Sequence, residues 1–103
     1  MDRIEQLKSF LEKTPNDAFL NYALATEYVA LGKDDLALVI FEKLRNSDPE
    51  YFATYYHLGK LYERIDEEDK AIEIYEQGME ITKKLGEKHA FGELRGVYEE
   101  LTF

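Results

Sequence analysis

Residues 16–49 read NDAFLNYALATEYVALGKDDLALVIFEKLRNSDP, and residues 50–83 read EYFATYYHLGKLYERIDEEDKAIEIYEQGMEITK. Set at an offset of 34, the two segments fall into register: Leu24 over Leu58, Tyr28 over Tyr62, Ala37 over Ala71 and Phe41 over Tyr75. Pro15 and Pro49 stand at the same spacing. A fixed period of this length marks an array of helical repeats, each burying against its neighbour a face it cannot bury alone. The expected fold class is all-α, an α-solenoid of antiparallel helix pairs.

Local signals set the helix boundaries. Each proline follows a residue type that caps helices (Thr14, Asp48), and proline is tolerated in a first helical turn, so helices are expected to begin near Pro15 and Pro49. Gly32-Lys33-Asp34 reads as a stop and a restart, with Gly32 in the left-handed conformation that ends a helix and Asp34 capping the next. Asp66 takes the place of that glycine in the second unit, and aspartate tolerates the left-handed region better than most residues. The expected helices are 17–31, 34–46, 50–64 and 67–84.

Apolar spacing supports each of them. Leu20, Leu24, Tyr28 and Leu31 share one helix face, as do Leu58, Leu61, Tyr62 and Ile65. Leu36, Ile40, Phe41 and Leu44 mark one second helix, and Ile72, Tyr75 and Met79 the other. Shifted back by one period, Leu7 falls under Phe41 and Phe10 under Leu44, so 2–13 reads as the second helix of a missing repeat. At the other end Phe91, Leu94, Tyr98 and Leu101 match Tyr55, Leu58, Tyr62 and Ile65 at an offset of 36. That offset implies a two-residue extension of the preceding helix, with Lys83 where the prolines stood. The last helix then closes the stack, its Glu93, Arg95, Glu99 and Glu100 turned outward, for about six helices in all.

Composition narrows the function. The 103 residues suit one domain, and 45% hydrophobic with 34% charged residues is ordinary for a folded helical protein. The absence of cysteine excludes disulfides, thiolate zinc sites and cysteine nucleophiles. A net charge of -9 argues against nucleic acid and anionic membrane surfaces, and makes any cluster of positive residues conspicuous. No run approaches the roughly 20 apolar residues of a membrane span, and Met1-Asp2-Arg3-Ile4-Glu5 has no signal-peptide character. A cytoplasmic protein is expected.

Chemistry-bearing patterns are few. His57 and His89 lie 32 residues apart at unmatched repeat positions and read as surface histidines. Asp66-Glu67-Glu68-Asp69 lacks the alternating spacing and glycine of a calcium loop, and sits where acidic residues favour a helix start. No phosphate loop, Ser/His/Asp set or catalytic carboxylate pair can be assembled, so no cofactor, metal or catalysis is expected; turnover lost on His57→Ala would revive an enzyme reading. Gly92 and Gly96 are costly inside a helix. They signal either close approach to the preceding helix, which is the expected reading, or a shallow exposed groove for a partner helix.

These residues resemble the tetratricopeptide repeat family. Leu24, Ala25, Tyr28, Gly32, Ala37, Phe41 and Pro49 follow its pattern in the first unit, and Tyr55, Leu58, Gly59, Tyr62, Ala71, Tyr75 and Gly78 in the second. Departures are Asn21, Leu44, Asp66 and Lys83. The resemblance implies a single domain with a superhelical stack: half-repeat helix 2–13, repeat one 18–51, repeat two 52–85 and capping helix 87–101. It also implies a protein-binding scaffold whose first helices line a concave groove. The residues at groove positions include Phe19, Tyr22 and Thr26 in repeat one, and Tyr56, Lys60, Glu63 and Arg64 in repeat two.

Tyrosine and arginine are enriched at interface hot spots, and a Lys60–Arg64 pair in an acidic chain favours a negative group. The expected ligand is therefore an extended or helical protein segment with an apolar anchor and an acidic residue or free C-terminus. The competing reading is that Lys60 and Arg64 only balance the acidic turn through Glu68. A reading of another class is a homodimer formed through the stack ends, where helix 2–13 carries Ile4, Leu7, Phe10 and Leu11.

Overall fold

Apolar residues at helical spacing, interrupted by glycine, aspartate and proline, give six helices and, among the described residues, no strand: α1 Arg3–Lys13, α2 Ala18–Ala30, α3 Asp34–Ser47, α4 Ala53–Arg64, α5 Glu68–Leu85 and α6 Lys88–Thr102. The computed structural model describes residues 2–103. The helices group into two units, residues 1–48 and 49–103. None is long and apolar enough to cross a membrane.

The turns obey the sequence only in part. Gly32 and Asp66 both adopt positive φ, 73° and 63°, so the aspartate does the work of the glycine. The prolines do not open helices. Thr14 and Asp48 instead close α1 and α3, their backbone N–H groups donating to the carbonyls of Phe10 and Leu44 at 3.1 and 2.8 Å. Helix α2 starts later because Asp17 is the better cap: its carboxylate accepts the Leu20 N–H at 2.8 Å. Asn21 then ties back to the carbonyls of Pro15 and Asp17. Asp34 is the first residue of α3 rather than its cap, which is Lys33. There it still places negative charge at the positive end of the helix dipole.

In the first unit α2 packs against both α1 and α3. Its core is Leu7, Ala23, Leu24, Ala25, Tyr28, Ala37, Phe41 and Leu44, all buried. Three expected core positions turn outward: Phe10 and Leu31 are each 59% exposed, and Leu36 is 44% exposed. Phe10 lies on α1, whose main packing partner is α2. Leu31 has passed from helix into turn as the cap of α2.

In the second unit α5 packs between α4 and α6. Tyr55, Leu58, Ala71 and Tyr75 are wholly buried, and Leu61, Tyr62, Ile74, Leu94 and Val97 nearly so. Ile65, expected inside, is exposed at the end of α4. Two glycines decide the packing. A Cβ on Gly59 would collide with the Tyr75 ring, and one on Gly78 would lie 2.6 Å from the Tyr55 Cβ and 3.0 Å from a Leu94 methyl. Gly92 and Gly96 are the opposite case. Nothing lies within 4 Å of a Cβ at either position, so neither mediates the close approach expected of them.

The contrast yields a direct test by urea unfolding. Gly78→Ala is expected to cost about 1–2 kcal/mol, overpacking outweighing the better helix propensity of alanine. Gly92→Ala and Gly96→Ala are expected to raise stability by about 0.5–1 kcal/mol each. Destabilisation by either of the latter two would show that their surroundings are not open.

Candidate functional site

The residues expected to bind fall into two groups, three on α2 in the first unit and four on α4 in the second. On α2, Phe19 is 59% exposed near the helix start. Tyr22 is half-buried, its ring edge-on to Phe41 with centroids 6.3 Å apart, and burial pushes its phenol above the ordinary value. Thr26 spends its hydroxyl on the Ala23 carbonyl at 2.8 Å. Phe19 is therefore the open apolar group of this face, while Tyr22 and Thr26 are partly committed to the fold.

The α4 face is more polar and more firmly held. Tyr56 stacks edge-on against His57, centroids 5.7 Å apart. Lys60 is exposed, with its ammonium 3.7 Å from the Glu63 carboxylate. The same Glu63 oxygen accepts a hydrogen bond from the hydroxyl of Tyr75, whose side chain is wholly buried. Burial, with that hydrogen bond and the negative charge of Glu63, raises the Tyr75 phenol far above its usual value, so it remains a proton donor. Tyr75 thus anchors Glu63 from inside the core, and the anchored carboxylate makes a long, solvent-facing ion pair with Lys60. Arg64 ends the helix and is exposed.

By its spacing alone Tyr75 is a core aromatic, and its part in this arrangement is not evident from helical periodicity. A signal was present. At the corresponding places of the first unit stand Val29 and Phe41, both apolar, whereas Glu63 and Tyr75 are both polar. A carboxylate and a hydroxyl gained together at two aligned positions point to a contact between them. As for the competing reading of Lys60, its ion pair is with Glu63 rather than with the acidic turn.

Elsewhere the chemistry is sparse. Among the described residues no three His, Asp or Glu side chains gather as metal ligands do. His89 is exposed beside Glu93 at 3.5 Å. His57 is half-buried, and burial lowers its pKa against a smaller opposing pull from the Glu93 charge.

A family model described as tetratricopeptide repeat matches residues 52–85. Among solved structures the chain is similar to the crystal structure of a tetratricopeptide repeat domain protein from Salinibacter ruber, with 43% identity and a TM-score of 0.81 over 84% of this chain and 96% of that one. It is likewise similar to a solution NMR structure of a tetratricopeptide repeat domain protein from the same organism, at 44% identity and TM-score 0.81, over 84% and 88% of the two chains. A Bordetella parapertussis protein shares the fold at 22% identity and TM-score 0.85, over 99% of this chain and 89% of its own. The comparison with curated proteins found no match.

His57 gives a pH test. Its folded pKa lies below the unfolded value of about 6.5, so in the window beneath 6.5 the unfolded chain binds more protons. Stability should fall as pH is lowered through that window, and His57→Gln should remove this part of the slope between pH 7 and 5.5. An unchanged slope in the variant would show that the histidine is charged as easily in the fold as outside it.

Proposed function

The chain belongs to the tetratricopeptide repeat family, a fold that serves protein–protein interaction, and on that premise we propose that it is a non-catalytic module binding a peptide or helical segment of another protein. Phe19, Tyr22 and Thr26 on α2, and Tyr56, Lys60, Glu63 and Arg64 on α4, are the residues proposed to meet the ligand, each set on its own unit. The observation that carries this reading is the Tyr75–Glu63–Lys60 arrangement. A buried hydroxyl that holds an outward carboxylate beside a lysine fixes that carboxylate on an exposed helix face. Ordering such side chains before binding reduces the entropy lost when a partner docks.

The proposed ligand carries an apolar anchor for the aromatic residues and an acidic residue or free C-terminus for Lys60 and Arg64. Nucleic acid and membrane surfaces are poor partners for a chain of net charge -9. The lack of cysteine agrees with work in a reducing compartment, and we place it in the cytoplasm. A second reading, self-association through α1, draws on one observation: Phe10 is 59% exposed there.

Pull-down from lysate with the wild type and with Lys60→Glu/Arg64→Glu, after circular dichroism shows equal helicity, separates these readings. A partner retained by the wild type and lost by the variant is the expected result. Equal capture by both overturns the α4 assignment. A mass that doubles with concentration, and returns to the monomer value in Phe10→Glu, would favour the homodimer.

A further inference from the structure

The turn between α5 and α6 departs from the repeat in a way that the binding faces above do not use. Where prolines stand at 15 and 49, the chain has Lys83, and α5 runs on to Leu85 before Gly86, at φ 73°, ends it. The exchange concentrates positive charge in an acidic chain: Lys83, Lys84, Lys88 and His89 lie within seven residues. Lys84 is bound to Glu50 at 2.9 Å, and His89 faces Glu93 at 3.5 Å. Among the described residues, the ammonium groups of Lys83 and Lys88 make neither ion pair nor hydrogen bond.

These two lysines line a cavity of about 220 Å³ together with Thr82, Gly86, Glu87 and Phe91. The volume is below the roughly 300 Å³ at which small-molecule sites begin, and suits a single side chain. Phe91 supplies a half-buried aromatic surface. The Thr82 hydroxyl is already engaged by the Gly78 carbonyl at 2.8 Å. Glu87 is the one acidic residue of the lining and pairs with neither lysine, so the rim carries two cations against one anion.

We propose that this cavity is a docking site for an acidic peptide segment, with an apolar side chain seated against Phe91 and flanking carboxylates on Lys83 and Lys88. The site lies wholly within the second unit and is separate from the faces of α2 and α4. Charge complementarity argues for this occupant: two uncommitted cations beside an apolar hollow match an aromatic or aliphatic residue with acidic neighbours.

The test is titration of the ¹⁵N-labelled full chain with acetyl-Glu-Phe-Glu-amide, using acetyl-Gln-Phe-Gln-amide and inorganic phosphate at matched ionic strength as comparisons. The acidic peptide is expected to move amide resonances of residues 82–91. Lys83→Ala/Lys88→Ala should weaken its apparent affinity about tenfold, the sum of two exposed ion pairs. Lys83→Arg/Lys88→Arg should retain binding, and Lys13→Ala, which removes an exposed cation of the first unit, should leave the shifts of residues 82–91 unchanged. No movement at residues 82–91, an equal response there to the neutral peptide or to phosphate, or an unchanged midpoint of those shifts in the alanine variant would overturn the proposal, whereas shifts on α4 would report the other face.

Discussion

In the second unit two tyrosine rings lie against bare backbone, and the rest of that unit is arranged around them. Helix α4 offers Gly59 to the ring of Tyr75 on α5, while α5 offers Gly78 to Tyr55 on α4. The exchange is reciprocal: each helix supplies one large side chain and one gap. Both rings are fully buried, which removes from water about as much apolar surface as any side chains in the chain can. Close approach then brings Leu94 of α6 to within 3.0 Å of where a Gly78 Cβ would stand, so the third helix depends on the same gap.

A tyrosine buried this way must still satisfy its hydroxyl, and the two rings solve the problem at opposite ends of α4. Tyr55 donates to the Pro49 carbonyl in the turn before α4, and Tyr75 donates to Glu63 near the end of the helix. The first bond pins the entry to the unit. The second reaches the surface and orients a carboxylate beside Lys60. Packing and the candidate binding face are therefore linked through one hydroxyl. A phenylalanine at 75 could fill the core equally well but would leave Glu63 to solvent.

Much of this was legible because repeats advertise their constraints. Ala37 and Ala71, Leu24 and Leu58, Tyr28 and Tyr62 are buried as the register requires. The left-handed Asp66 was readable from its alignment with Gly32. What the sequence hid was context. Proline and a preceding Thr14 or Asp48 suggest a helix start, but the same residues close a helix equally well, and Asp17 competed successfully for the cap. Gly92 and Gly96 look like packing glycines, yet only the neighbouring helices distinguish them from Gly59 and Gly78. Phe10 is apolar and in register, but α1 packs mainly against α2 and leaves it exposed. For the candidate site, the positions on α2 and α4 came from family resemblance; the support from Tyr75 was signalled only by the paired change from Val29 and Phe41 to Glu63 and Tyr75, and the lysine-rimmed cavity depends on how α5 and α6 meet.

The reciprocal ring-and-gap packing is tested most directly by a double-mutant cycle on Gly59→Ala and Tyr75→Leu, followed by urea unfolding. With the tyrosine present, the added methyl has no room. With leucine in its place, room appears, and the cost of Gly59→Ala should fall by at least about 1 kcal/mol, a coupling of the size seen between side chains in contact. An equal cost in both backgrounds would mean that the methyl and the ring do not compete for space, and the packing described for the second unit would be wrong.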